Sequence, residues 1–333
     1  MTVLRQDATT NEWVIMAPER GRRPHEERPA TRPSLPGHAA DCPFCPGNEH
    51  LTPPEITRVP TDGPWEQRVF PNLFPALVPE GSTDRRGPPG EREMDGVGWH
   101  EVVVESPRHD ERMDEMSTDR ILSVLRLWRS RYVELRDRPS VKAVIVFKNF
   151  GERAGTSLVH PHSQILAVPV FPPDQLHRYQ VATRYFDDTG HCAYVDLVQQ
   201  MLRERTRLVA ERGSLVAFAP FAAGLPYETW IAPVAHQTSF GQCPDGDLAD
   251  LAVLLRDVLG ALRRAAGDPD FNLVVDSAPA IEESKPFFLW HIRVLPRITT
   301  AAGFELGSGM SINPVLPEHA ASILRGALAP AVP

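Results

Sequence analysis

The sequence predicts an α+β fold made of two copies of one unit, and three observations carry that expectation. A strand, helix, strand, strand order runs from residue 101 to 168 and recurs from 227 to 295. The opening strand of each copy closes on a proline and a histidine, Pro107 and His109 in the first, Pro233 and His236 in the second. The chain has 333 residues, which makes two units at the usual size of about 100–200 residues each. The copies are divided as residues 1–190 and 191–333.

Taken in order, residues 12–16 read as a short extended piece. The turn-rich stretch 17–24 follows, in which Arg20, Arg22 and Arg23 stand beside Pro24 as a possible clamp for phosphate oxygens. Asp41-Cys42-Pro43-Phe44-Cys45-Pro46-Gly47 is a Cys-x-x-Cys knuckle. A redox pair would open a helix after a strand. Prolines and a glycine surround this one, which favours a metal site. Residues 68–77 combine strand formers with Asn72 and Phe74, and 80–98 read as an exposed loop. Residues 101–109 form a strand.

Over 118–137 the stripe Ile121, Leu122, Leu125, Trp128, Tyr132 and Leu135 repeats at helical spacing behind the capping candidates Ser117 and Thr118. Strand 141–147 leads into the loop 148–155, then into the polar stretch 156–164 and the apolar run 165–168. A helix over 193–212 bridges the halves. In the second copy 227–236 is a strand, about 245–266 an amphipathic helix with Leu248, Leu251, Leu255, Val258 and Leu262 on its stripe, and 272–276 and 287–295 are strands. Laying the last strands together pairs His160 with His291, His162 with Arg293 and Gln164 with Leu295. The first half then carries the chemistry, and the second is mainly scaffold and substrate wall.

Composition narrows the function classes. Hydrophobic residues make up 42%, and no apolar run approaches the roughly 20 residues that span a bilayer. The first residues lack a basic-then-apolar leader pattern, so the expectation is a cytoplasmic protein without membrane partners. Net charge is −8 with no lysine-rich face, which argues against nucleic acid as a partner. The 34 prolines gather in the first ninety residues and the tail, which are expected to be ordered loops.

The chemistry centres on Val159-His160-Pro161-His162-Ser163-Gln164. In extended backbone the two-residue period puts His160, His162 and Gln164 on one face. A closed structural zinc site takes four N or S ligands. Cys42 and Cys45 supply two, and histidines at strand ends favour His109 and His160, with His100 and His50 left open. Cys192 and Cys243 stand alone and read as small buried hydrophobes. His162 is then free. A neutral imidazole can attack phosphorus and split a transfer into two steps. Gln164, Ser157 and backbone N–H groups near Gly155 are candidate donors to the phosphoryl charge.

These stretches, with Val69-Phe70-Pro71-Asn72-Leu73-Phe74, Ser106-Pro107-Arg108-His109, Asn149, Gly155-Thr156-Ser157 and Gly303-Phe304-Glu305, resemble the galactose-1-phosphate uridylyltransferase family of the histidine-triad superfamily. The resemblance implies two histidine-triad-like α+β units, each an antiparallel sheet with a packed helix, and a homodimer with shared active sites. It implies galactose metabolism and transfer of UMP between a nucleotide sugar and a hexose 1-phosphate by a ping-pong route through nucleotidyl-His162. One structural zinc per chain is placed on Cys42, Cys45, His109 and His160. Gln164 and Ser157 hold the phosphates. Asn72, Phe74, Asn149, Gly155 and Thr156 line the nucleotide site, and Arg23, Phe304 and Glu305 reach it across the dimer. Ser163, where many uridylyltransferases have glycine, also matches relatives that phosphorolyse ADP-glucose. Adenylyl transfer is therefore the alternative, with dinucleoside polyphosphate hydrolysis behind it. His291 alone of a second metal set is visible, so a second metal is not expected.

Overall fold

The computed structural model describes residues 1–22, 32 and 34–328. Its first half runs through β1 (Val3–Gln6), β2 (Trp13–Met16), β3 (Thr57–Val59), β4 (Gln67–Pro71), β5 (Trp99–Val104), α1 (Thr118–Arg136), β6 (Ala143–Phe150), β7 (His162–Val168) and α2 (Pro173–Thr189). The second half adds α3 (Ala193–Glu204), β8 (Leu208–Arg212), β9 (Leu215–Phe218), β10 (Thr229–Pro233), α4 (Asp245–Ala266), β11 (Phe271–Asp276), β12 (His291–Pro296), α5 (Gly303–Ser308), β13 (Ile312–Asn313) and α6 (Pro317–Gly326).

Strand, helix, strand, strand appears twice, as β5-α1-β6-β7 and β10-α4-β11-β12. The two copies share one antiparallel sheet of order β3-β4-β5-β7-β6-β11-β12-β10-β9-β8, joined where β6 pairs with β11 from Phe150↔Phe271 to Val146↔Val275. β1, β2 and β13 form a separate three-stranded sheet.

The helical stripes decide the layers. Ser117 caps α1 by accepting the Arg120 N–H at 3.2 Å, and Ile121, Leu125, Trp128, Tyr132 and Leu135 are all buried. They pack with Leu251, Leu255 and Leu262 of α4 over Val144, Val146, Ile165, Leu273, Val275, Ile292 and Val294 on one sheet face. Each such side chain fully buried contributes roughly 1.5–3 kcal/mol. The opposite face is covered in two pieces. Tyr194 and Val198 of α3 lie over β9 and β10, while the knuckle's Phe44 lies over Phe70, Val102 and Val104.

The structure departs from the sequence expectation at 193–212. The helix stops at Glu204, where Arg205 takes a left-handed φ of 56° and returns its N–H to Met201 O at 2.8 Å. The remainder is β8, paired with β9. The strand expected over 101–109 ends at Val104, leaving Pro107 and His109 in the loop beyond it. Among the described residues no helix is long and apolar enough to cross a membrane.

The alignment of the last strands also shifts by two residues. His291, like His162, is the first residue of its strand, and each donates its ring Nδ1–H to the carbonyl two residues earlier, Leu289 at 3.1 Å and His160 at 2.8 Å. The next residues, Ser163 and Ile292, both face the helices. His291 therefore corresponds to His162, and Arg293 to Gln164.

Candidate active site

Four buried side chains converge behind the first residue of β7. Cys45 Sγ lies 3.5 Å from both His109 Nδ1 and His160 Nδ1, and Cys42 Sγ lies 3.8 Å from His160 Nδ1. All four candidate ligand atoms fall within 4.8 Å of one another. Tetrahedral zinc, with Zn–S about 2.3 Å and Zn–N about 2.0–2.1 Å, sets S···N separations near about 3.6 Å. This Cys2His2 group can hold a metal ion and suits zinc. Burial pushes the Cys42 thiol up to about 11, so that residue would ligate as a thiolate only with a cation beside it. His160 donates its other ring N–H to Ser106 O at 2.8 Å, which fixes Nδ1 as the free donor atom. Of the histidines left open by spacing, His50 is exposed on the short turn after the knuckle, and His100 is used elsewhere.

His162 is two residues further along the same face and stays out of the cluster. Its Nδ1–H bond to His160 O leaves the Nε2 lone pair unengaged among the described residues. Burial, with the nearby Lys148 charge in support, lowers its pKa to about 4, so the ring is neutral at pH 7. Phe44 of the knuckle meets this ring edge-on at 5.3 Å and that of His160 at 6.1 Å. The Cys2His2 group and the free imidazole are thereby packed on one aromatic.

His162 opens on a cavity of about 800 Å³, lined also by Asn149, Thr156, Arg32, Arg112 and Lys148. Thr156 Oγ1 is buried without a hydrogen-bond partner among the described residues, on that wall. The loop 151–156 that carries it, with Asn149 at the end of β6, is held from the second half. Asn272 donates to Asn149 Oδ1 and to Ala154 O, both at 2.8 Å. Asp270 accepts the Arg153 N–H at 2.7 Å, and a Cβ on Gly151 (φ 88°) would stand 2.2 Å from that carboxylate. Gly155 (φ 84°) gives its N–H to Glu152 O and Thr156 gives its own to Gly151 O. Those two backbone donors are thus spent on the loop itself, and the Thr156 hydroxyl remains.

Gln164 and Asn72 both meet the His100 ring, at 2.8 Å and 3.2 Å, outside the lining of that cavity. The His100 Nδ1 accepts the Ala76 N–H at 3.1 Å, so its Nε2–H donates to Gln164 Oε1 at 2.8 Å. Asn72 Oδ1 accepts the Phe74 N–H at 2.9 Å, and the Phe74 ring is 84% exposed. Ser157 is exposed on the loop ahead of β7, outside the cavity lining. Phe304 and Glu305 stand on α5, also outside it, with Glu305 accepting the Ala302 N–H at 3.0 Å. Arg23 lies outside the described residues. Ser163 points away from the site and accepts the Trp128 indole N–H at 2.7 Å.

Residues 1–172 match the family model described as galactose-1-phosphate uridyl transferase, N-terminal domain. The chain belongs to this family. It is 34% identical to an ADP-glucose phosphorylase of Arabidopsis thaliana over 97% of this chain and 92% of that protein. It is 29% identical to a galactose-1-phosphate uridylyltransferase of Thermotoga maritima, over 98% of each. The crystal structure of the Arabidopsis ADP-glucose phosphorylase with bound ADP-glucose superposes with a TM-score of 0.85 at 33% identity, covering 98% of this chain and 99% of that one. A uridylyltransferase structure superposes with a TM-score of 0.76 at 26% identity, covering 98% of each chain.

His100, Asn272, Glu105 and Lys148 contact the candidate site residues and are not singled out by spacing. In the sequence His100 reads only as a metal-ligand candidate, and the diagonal from β5 to Gln164 of β7 gives it another partner. Asn272 needed the seam between β6 and β11, which no local pattern announces.

Proposed function

We propose that this family member transfers a nucleoside monophosphate from a nucleotide sugar to a phosphate acceptor through a covalent nucleotidyl-His162. The observation that carries it is the neutral, Nδ1-anchored His162 with Nε2 unengaged on the cavity wall. Nε2 attacks the α-phosphorus, the P–O bond to the β-phosphate breaks, and sugar 1-phosphate leaves with the electron pair. An oxygen of the second acceptor then attacks the same phosphorus, and the N–P bond breaks back to the His162 lone pair. Nδ1–H stays on His160 O throughout, so the charged ring formed in the intermediate keeps its partner. Thr156 and Asn149 on the cavity wall are the proposed phosphate and nucleotide contacts, with Gln164 beside them and Asn72 and Phe74 toward the base. Ser157 and Gly155, expected from the resemblance, lie outside the cavity lining and are proposed to meet substrate only if the loop moves.

Zinc on Cys42, Cys45, His109 and His160, one per chain, is proposed as structural. Four protein ligands leave it no open position for substrate, and when bound it supplies folding free energy and ties the knuckle to the strand that carries the nucleophile. Arg23, Phe304 and Glu305 are assigned to the active site of a second copy in a homodimer. Phe304 is 48% and Leu306 78% exposed on α5, which supports a partner covering that helix. The cytoplasmic location expected from the sequence is kept with this reading.

UMP is the group transferred in the first reading, with a hexose 1-phosphate as acceptor. AMP, with phosphorolysis of ADP-glucose, is the second, favoured by the 34% identical relative and by the superposed structure that holds ADP-glucose. Incubation with UDP-glucose or ADP-glucose followed by intact-protein mass names the base. A gain of one UMP or one AMP is expected. No gain with either sugar nucleotide contradicts the proposal, and turnover of dinucleoside polyphosphates with water as sole acceptor redirects it to hydrolysis.

A further inference from the structure

Beneath His162 lies a buried charged pair that the metal cluster does not use. Lys148 of β6 is 2% exposed, and Glu105, just past β5, is 0% exposed. Lys148 Nζ donates to Glu105 Oε2 at 2.6 Å and to the main-chain carbonyl of His162 at 3.0 Å.

The strand ladder explains why that carbonyl needs a side-chain donor. On the β5 side β7 stays paired to its first residue, Val104↔His162, and Glu105 N–H continues to Pro161 O at 3.0 Å. On the β6 side the pairing stops two residues earlier, at Phe147↔Gln164. Successive carbonyls along a strand point to opposite sides, so with Pro161 O directed at β5, His162 O is directed at β6. There the backbone ladder has ended. The lysine ammonium stands in for the missing N–H, and Glu105 fixes where the ammonium sits.

A buried ion pair of this kind adds little to stability over an apolar pair of equal volume. Its placement on the nucleophile's own peptide is the feature that calls for a role. The matching strand of the second half has none: with Asp276 opposite His291, the position equivalent to Lys148 is Val275.

We propose that Glu105 and Lys148 are positioning residues for His162. Resting on the nucleotidyl-histidine reading above, the pair clamps the His162 peptide at the frayed end of β7 and so keeps Nε2 in line with the phosphorus it attacks. It holds His162 through the main chain and makes no bond to the imidazole; the lysine charge adds to burial in keeping that ring neutral. An error of about 1 Å in such alignment costs about 100-fold in rate.

The test uses the full-length protein, with Lys148→Met and the double variant Lys148→Met/Glu105→Leu. Urea unfolding reports the fold, and single-turnover mass spectrometry reports the rate constant and half-saturating concentration for adduct formation with the sugar nucleotide. Lys148→Met alone strands a buried carboxylate and loses stability. The double variant removes both charges and recovers it. In the double variant the adduct rate constant is expected to fall by about 10–100-fold, with the half-saturating concentration within about threefold of wild type. A folded double variant that forms adduct at the wild-type rate overturns the inference, as does a change confined to the half-saturating concentration. A wild-type protein that forms no adduct overturns the nucleotidyl reading and this inference together. That outcome is distinct from an unslowed variant.

Discussion

The two halves place a histidine at the same point of the same strand and treat it in opposite ways. His162 opens β7 on the wall of a cavity. His291 opens β12 and makes the same Nδ1–H bond to the carbonyl two residues back. Trp230 stacks on its ring at 4.5 Å, Tyr194 and Phe288 close in at 5.3 Å and 6.3 Å, and the residue is 1% exposed. Asp276 stands 3.5 Å from its Nε2 and pairs with Arg293, which holds the place of Gln164.

The shared strand geometry thus selects the tautomer in both copies. What separates them is the surroundings: a Cys2His2 cluster, an open cavity and a lysine clamp in the first half, an aromatic seal and an ion pair in the second. In the proposed mechanism the nucleophile is the histidine whose neighbours leave its Nε2 open.

The largest effect that can break this contrast is on turnover. His162→Ala is expected to lower steady-state nucleotidyl transfer by about 10,000-fold or more, while His291→Asn, outside the cavity lining, stays within about threefold of wild type. Comparable losses in both variants would erase the distinction. Next comes the metal. One equivalent of zinc is expected by metal analysis, and Cys42→Ala should lose it and lower unfolding free energy by at least about 3 kcal/mol, since closing such a site is folding free energy. Full stability with lost activity would move the metal into the chemistry.

The sealed histidine makes its own prediction in acid. Burial, the largest cause, together with the Arg293 and Arg178 charges, outweighs Asp276 and lowers His291 from 6.5 to about 4. Between those values the unfolded chain binds a proton that the folded chain refuses. His291 therefore contributes nothing adverse above pH 6.5 and costs stability as pH falls toward 4, about 3 kcal/mol in all. Urea unfolding at pH 7, 5.5 and 4.5 should show a shallower decline for His291→Phe than for wild type. Parallel declines would show that the ring is not sealed.

The smallest expected effect tests the support that the second half gives the first. Asn272→Ala frees the Asn149 amide and the Ala154 carbonyl. Adduct formation should slow about tenfold, roughly 1.4 kcal/mol, with little change in unfolding midpoint. An unchanged rate would mean that the loop holds itself.

The knuckle and the His-Pro-His-Ser-Gln stretch were legible in the sequence because their meaning is local: ligand types at fixed spacing on a strand of known period. Both amphipathic helices were legible for the same reason. The pairing of His160 with His291 was two residues off because a strand repeats every two residues. A slip of two keeps every side chain on its face, and the apolar pattern cannot register it. The fusion of both units through β6 and β11, the end of α3 at Arg205, and the meeting of Glu105 with Lys148 depend on where ladders stop and which strands adjoin. Those are tertiary facts with no short-range signature. Ser163, whose identity bore on the choice of base, faces Trp128 in the helix layer. Its hydroxyl serves packing and makes no contact in the cavity.

The contrast between the halves is tested most directly by locating the covalent group. After brief incubation with UDP-glucose or ADP-glucose, the protein is digested under alkaline conditions that preserve N–P bonds, and the nucleotidyl peptide is mapped by tandem mass spectrometry. The prediction is one nucleoside monophosphate on His162, none on His291, and none anywhere in His162→Ala. A nucleotidyl group on His291, or an adduct that survives in His162→Ala, would contradict the assignment of the chemistry to the first half.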